Sequence, residues 1–139
     1  MMVKPFITLK NNENVKDSMK RILVIDDEEQ VLNALGFALA CEGYRVVKAF
    51  DGKEGMKLHR EDPVDLIITD LIMPEKEGIE TIRELTAEFP NIKIIAISGG
   101  GRIGPENYLT MAKMLGAQRT LTKPIGRDEL VRTVKELLI

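Results

Sequence analysis

The stretch Lys20-Arg-Ile-Leu-Val-Ile-Asp26-Asp27-Glu-Glu-Gln-Val-Leu32 changes character at its middle. Before Asp26, Ile22 to Ile25 form an unbroken apolar run, three of its four residues β-branched. After it, Val31, Leu32, Leu35, Ala38 and Leu39 recur at helical spacing, with acidic residues in the first turn and Gly43 just past the end. An apolar run without alternation reads as a strand covered on both faces. The acidic start and glycine stop bound a helix over Glu28 to Glu42. The same pairing recurs four times along the chain. Arg45 to Phe50 precedes a helix over Lys53 to Arg60 that Asp62-Pro63 closes, and Asp65 to Thr69 precedes one over Gly78 to Glu88 that Phe89-Pro90 stops. Lys93 to Ile97 precedes Pro105 to Leu115, which Gly116 terminates, and Arg119 to Thr122 precedes Asp128 to Ile139. Five strand–helix units predict an α/β fold with a parallel sheet.

Each acidic or cationic residue able to do chemistry stands at the carboxyl end of one of these strands. Asp26-Asp27 follow the first, Asp70 the third, Ser98 the fourth and Lys123-Pro124 the fifth. In open α/β sheets the ligand crevice lies outside the carboxyl ends of the strands. Three carboxylates, a hydroxyl and an ammonium therefore converge. Two like charges about 4 Å apart repel by roughly 4 kcal/mol at an effective dielectric near 20, so a cation belongs among them. Hard oxygen ligands without His or Cys favour Mg²⁺. A metal-bound carboxylate flanked by a lysine and a hydroxyl suits phosphoryl transfer to or from a carboxylate.

The 139 residues, 44% hydrophobic, amount to one domain. A net charge of −2 and no basic stripe interleaved with aromatics argue against nucleic acid. No apolar run reaches membrane-spanning length, and the first residues lack a signal-peptide core, which predicts no membrane association and a cytoplasmic location. Cys41, the single cysteine, reads as a buried core thiol in a reducing compartment, and His59 as a solvated surface residue. Leu130, Val131, Val134, Leu137 and Leu138 form an apolar stripe that reads as core packing. Residues 1–18, with Pro5 and no sustained periodicity, read as an N-terminal extension or expression remnant, or alternatively as an arm docking on a neighbouring chain. Gly99-Gly-Gly-Arg-Ile-Gly104 satisfies G-x-G-x-x-G, but it falls after the fourth strand rather than the first, and the next strand ends in Lys123 instead of an acid. A flexible loop is the better reading.

From Lys20 to Ile139 the chain resembles the receiver domain of two-component response regulators. The likeness rests on Asp26-Asp27, on Asp70 with Met73-Pro74 and Gly78, on Ser98-Gly99, on Gly116-Ala117 and on Lys123-Pro124, in that order. It implies a flavodoxin-like, doubly wound five-stranded parallel sheet of order 2-1-3-4-5 with five helices, residues 19–139 forming the domain. It also implies that Asp70 accepts a phosphoryl group from a histidine kinase or phosphotransfer protein. Asp27 would bind Mg²⁺ directly, Asp26 through a water, and the Ile72 backbone carbonyl would join them, with Asp70 also at the metal. Ser98 would hydrogen-bond a phosphoryl oxygen and Lys123 would ion-pair with it. The protein would be a self-phosphorylating and autodephosphorylating receiver rather than a conventional enzyme. With no fused output domain expected, it would signal to a downstream protein through the face made by the fourth helix, fifth strand and fifth helix. In that family an aromatic residue three before the lysine rotates inward as Ser98 or its equivalent moves; here the position is Thr120, so Ser98 and Thr120 are the switch positions. A haloacid-dehalogenase-like phosphatase would need a second acid two residues after the nucleophile, where this chain has Ile72. A pseudo-receiver scaffold would lack some of the five site residues, all of which are present.

Overall fold

The computed structural model describes residues 19–71, 78–99 and 105–139, the side chains of residues 105–109 excepted. Strands and helices alternate: β1 (Arg21–Ile25), α1 (Glu29–Cys41), β2 (Arg45–Ala49), α2 (Gly52–Glu61), β3 (Leu66–Asp70), α3 (Gly78–Glu88), β4 (Lys93–Gly99), α4 (Pro105–Leu115), β5 (Arg119–Lys123) and α5 (Arg127–Leu137). The five strands form one parallel sheet in the order β2-β1-β3-β4-β5. This is the flavodoxin-like order that the resemblance implies.

The sheet is covered on both faces because its apolar strands alternate two sets of side chains. Ile22 and Val24 of β1, Leu66 and Ile68 of β3, and Ile95 and Ile97 of β4 pack with Leu32, Leu35 and Leu39 of α1 and Leu130 and Val134 of α5. The intervening residues Leu23, Ile25, Ile67, Ile94 and Ala96 face Met56 of α2, Ile79, Ile82 and Leu85 of α3, and Ala112 of α4. Each fully buried Leu or Ile contributes about 1.5–3 kcal/mol relative to its exposed state, so these two clusters supply most of the driving force. Leu130 and Val134 are buried and Leu137 and Leu138 partly so and packed on the same cluster, which makes these four core, as expected; Val131, the fifth residue of the stripe, is half-buried outside that cluster.

Two side chains stand where the sequence reading did not put them. Cys41 is exposed. On α1 the sheet-facing residues are Leu32, Leu35 and Leu39, and Cys41 lies two residues beyond Leu39, about 200° round the helix at 3.6 residues per turn. It shares the outer face with Ala34 and Phe37, which are also exposed. His59 is 3% exposed, not solvated. It continues the face of α2 formed by Gly52, Gly55 and Met56, a spacing of three and four residues that places it inward. Its Nδ1 accepts a hydrogen bond from the Val64 N–H (3.0 Å), and its ring meets Phe89 edge-on at 4.4 Å between centroids. Burial lowers its pKa, against a weaker opposing pull from Glu88. The second strand ends at Ala49, leaving Phe50 half exposed outside it. Residues 1–18, for which an extension or arm was expected, lie outside the described residues, as do Ile72, Met73, Pro74 and the loop from Gly100 to Gly104.

Candidate functional site

Strand register brings the carboxyl ends level. Ile25 stands beside Thr69, Asp70 beside Ile97, Ser98 beside Thr122 and Gly99 beside Lys123. Asp26 is the first residue beyond β1, its N–H donating to the Ala49 carbonyl (3.1 Å) so that the chain end is tied to β2. Four segments far apart in sequence thus deliver their polar residues to one crest, Asp70, Ser98 and Lys123 from the ladders and Asp26-Asp27 from just beyond β1.

Asp26, Asp27 and Asp70 each offer a carboxylate oxygen, and these oxygens lie within 4.8 Å of one another. Asp26 and Asp70 are buried and Asp27 is exposed. The ammonium of Lys123, the last residue of β5, sits between them: Nζ is 3.0 Å from Asp26 Oδ2, 3.2 Å from Asp70 Oδ2 and 3.2 Å from Glu28 Oε1. The contacts to Asp70 and Glu28 have hydrogen-bond geometry, whereas Asp26 Oδ2 is held by charge alone. Asp26 Oδ1 accepts from the Glu28 N–H at 2.8 Å.

The charges tune one another. Burial pushes the Asp26 carboxyl above its usual range; the Glu28 N–H and Lys123 pull it back, and Asp27 adds to the upward push. Burial also works against the Lys123 ammonium, yet the carboxylates of Asp26, Asp70 and Glu28 outweigh it and hold its pKa above the ordinary lysine value. Lysine at this place is therefore permanently charged at neutral pH.

Two glycines make room. The N–H of Gly78 donates to the Leu71 carbonyl (2.8 Å), and a Cβ at Gly78 would lie 2.0 Å from the Asp70 carbonyl oxygen. α3 therefore begins directly beneath Asp70. At Gly99 a Cβ would come within 2.9 Å of Lys123 Cδ, so the lysine stem crosses the glycine on its way to the carboxylates. Between them Ser98 is fully buried, and its Oγ has no hydrogen-bond partner among the described residues. A buried hydroxyl without a partner costs about 1–3 kcal/mol, and such an atom beside a charge cluster marks a place for an incoming acceptor.

Asp26, Asp27, Asp70, Ser98 and Lys123 are thus brought together as the sequence predicts. Ile72 and Gly100 lie outside the described residues. Thr120 sits half-buried on β5, three residues from Lys123, beside Ala96 of β4. The sequence reading missed Glu28, whose only signal was its place directly after the acidic pair. It also missed an open groove of about 440 Å³ lined by Lys123 and Glu28 together with Val31, Ala34, Leu35, Pro124 and Ile125.

The sequence model described as the response regulator receiver domain matches residues 22–135. The chain is 34% identical over 117 residues to the transcriptional regulatory protein GlrR of Escherichia coli, covering 84% of this chain but 26% of GlrR. It thus spans about a quarter of that relative. It is 32% identical to protein PilH of Pseudomonas aeruginosa over 122 residues, 86% of this chain and 98% of PilH. Among solved structures, a CheY-like response regulator receiver domain protein from Methanospirillum hungatei superposes with a TM-score of 0.80 at 28% identity, covering 87% of this chain and 94% of that one. With nearly all of its folded length accounted for in this way, the chain belongs to the response regulator receiver domain family.

Proposed function

We propose that the protein is phosphorylated on Asp70 by a phosphohistidine donor in a Mg²⁺-dependent reaction and signals through the resulting change of shape. The observation that carries this reading is the half-buried Lys123 ammonium, 3.2 Å from Asp70 Oδ2, with the Ser98 Oγ on the neighbouring strand unpartnered among the described residues. An Asp70 oxygen attacks phosphorus in line. The Oδ–P bond forms as the P–N bond to the donor imidazole breaks, and the electron pair leaves with the imidazole. Lys123 then neutralises a phosphoryl oxygen, and Ser98 donates its hydroxyl proton to another.

The acidic cluster suits Mg²⁺. Ligands of an octahedral ion at 2.0–2.1 Å stand about 3 Å apart when adjacent and about 4 Å apart when opposite, and the three carboxylate oxygens lie within 4.8 Å with no nitrogen or sulfur ligand in the cluster. Asp27 and Asp70 would hold the ion directly and Asp26 through a water, joined by the Ile72 carbonyl. When bound, the ion supplies positive charge against the phosphoryl oxygens.

In this reading residues 19–139 are a receiver rather than a conventional enzyme, working in the cytoplasm between a sensor histidine kinase or phosphotransfer protein and a downstream protein. The α4–β5–α5 face carries the output, with Ser98 and Thr120 as its switch positions. Incubation with acetyl phosphate and Mg²⁺, followed by intact-mass measurement, tests the chemistry. One phosphoryl group is expected on the wild-type chain and none on Asp70→Asn or after chelation. Labelling retained in Asp70→Asn overturns the assignment.

A further inference from the structure

The ammonium of Lys123 has three N–H donors and three carboxylate oxygens within 3.2 Å: Asp26 Oδ2, Asp70 Oδ2 and Glu28 Oε1. Two of these contacts, to Asp70 and Glu28, have hydrogen-bond geometry, and Asp26 Oδ2 adds its charge at 3.0 Å. An oxygen added at Asp70 therefore competes with these carboxylates for Lys123. Asp26 is buried, with an Oδ1 already bonded to the Glu28 N–H, and Asp70 carries the new group. Releasing either into water would require opening the crest of the sheet. Glu28 differs. Its side chain is 62% exposed, so water replaces the lost contact at little cost.

The reach of Glu28 toward Lys123 is also a choice the fold does not force. Glu28 occupies the N-cap of α1, where a short polar side chain ordinarily accepts from the first helical turn, yet its side chain makes no capping bond. It turns instead to Lys123, and both residues line the groove shared with Val31, Leu35, Pro124 and Ile125. We infer that Glu28 is a positioning residue, a placeholder anion that occupies the phosphoryl group's hydrogen-bond place on Lys123 in the resting protein and is expelled toward α1 when Asp70 is phosphorylated. Its release changes the charge arrangement at that groove, so the phosphorylation state is displayed there as well as around β5. The inference rests on the phosphoacceptor reading above.

Two substitutions separate the contact from its charge. Glu28→Gln removes the charge, whereas Glu28→Asp keeps it on a side chain one methylene too short to reach Lys123 as Glu28 does. Neither touches the backbone N–H that Asp26 uses, and no capping bond is lost. Both variants should take a phosphoryl group from acetyl phosphate about two- to fivefold faster than the wild type, the span expected of one partly exposed ion pair. In resting protein labelled at lysine, the Lys123 Cε–Hε signals should move in both variants. After phosphorylation these signals should coincide in all three proteins, because the wild-type contact has then been broken. If Glu28→Asp behaves as wild type while Glu28→Gln is faster, a diffuse field effect replaces the placeholder. Wild-type rates and unmoved Lys123 signals in both variants overturn it outright. Asp70→Asn run in parallel tells the two levels apart. Failure of the wild type to be labelled at Asp70 removes the underlying reading, and labelling without any Glu28 effect removes only this one.

Discussion

At the residue scale, the sharpest constraint is the contact between Gly78 and the backbone of Asp70 and Leu71. A Cβ there would stand 2.0 Å from the Asp70 carbonyl and 2.5 Å from Leu71 Cα, and neither is the yielding end of a flexible side chain. Gly78→Ala should therefore displace the start of α3 and cost about 1–3 kcal/mol, the range of overpacked cores. Gly126→Ala, where a Cβ meets nothing within 4 Å, should stay within about 0.5 kcal/mol. Urea unfolding of the two variants beside the wild type checks both. Asp26, Asp27, Asp70, Ser98 and Lys123 were legible in sequence because a strand end fixes both the place and the neighbours of the residue that follows it. Glu28 was not legible. Its contact spans 95 positions of sequence and depends on a flexible side chain choosing Lys123 over its own helix.

Between elements, His59 joins α2 to the start of β3 through Val64 and to the end of α3 through Phe89. Since Nδ1 accepts the Val64 N–H, the folded protein holds the neutral ring, and burial keeps its pKa below the ordinary 6.5. The sign follows from that. Above about pH 6.5 the ring is neutral in both folded and unfolded chains and its stabilisation is complete. Below that, the unfolded chain takes up a proton that the folded one resists, and stability falls by at most about 1.4 kcal/mol per pH unit until the folded pKa is passed. Glu88 tempers the effect only weakly, being paired with Arg60 through two hydrogen bonds. His59→Leu should cost about 1–3 kcal/mol at pH 7.5, by leaving the Val64 N–H unpaired, and the gap to wild type should narrow at pH 5.5. A gap that is constant across urea titrations at the two pH values would refute this. The inward place of His59 was in principle readable from Gly52, Gly55 and Met56. Two glycines and one methionine gave too faint an apolar stripe to outweigh the usual exposure of histidine. On β5, Lys123→Ala should abolish the NMR response to phosphorylation, and Thr120→Ala should leave most of it. Equal loss in both would make Thr120 the switch.

For the whole molecule, the five strand–helix units were legible because apolar runs punctuated by Gly and Pro recur with a regular period, and α3 and α4 have the bounds the sequence suggests. Strand order was not encoded locally. It came from family likeness, since long-range pairing leaves no periodic trace. Metal should stabilise the fold as a whole. A ligand that binds only the native state adds about 2.7 kcal/mol at a hundredfold excess over its Kd, so Mg²⁺ should raise the unfolding midpoint of the wild type. Asp27→Ala should blunt that rise. Equal shifts by calorimetry in both proteins would show that the acidic pair does not bind the ion.

Lys123, the cation that meets three carboxylates from two other segments, is carried by β5, a strand bonded among the described residues to the sheet on one side only and with Arg119 and Thr122 exposed. β1 and β3, which carry the acids, have neighbours on both sides. Strands with fewer buried contacts open first in native-state fluctuations. The site thus joins a slow, deeply protected half to a half that breathes. Amide protons of β5 should exchange with solvent long before those of β1 and β3, and a phosphoryl group clamped by Lys123 should close that interval. In such a molecule the message is written first as protection from solvent at one edge of the sheet.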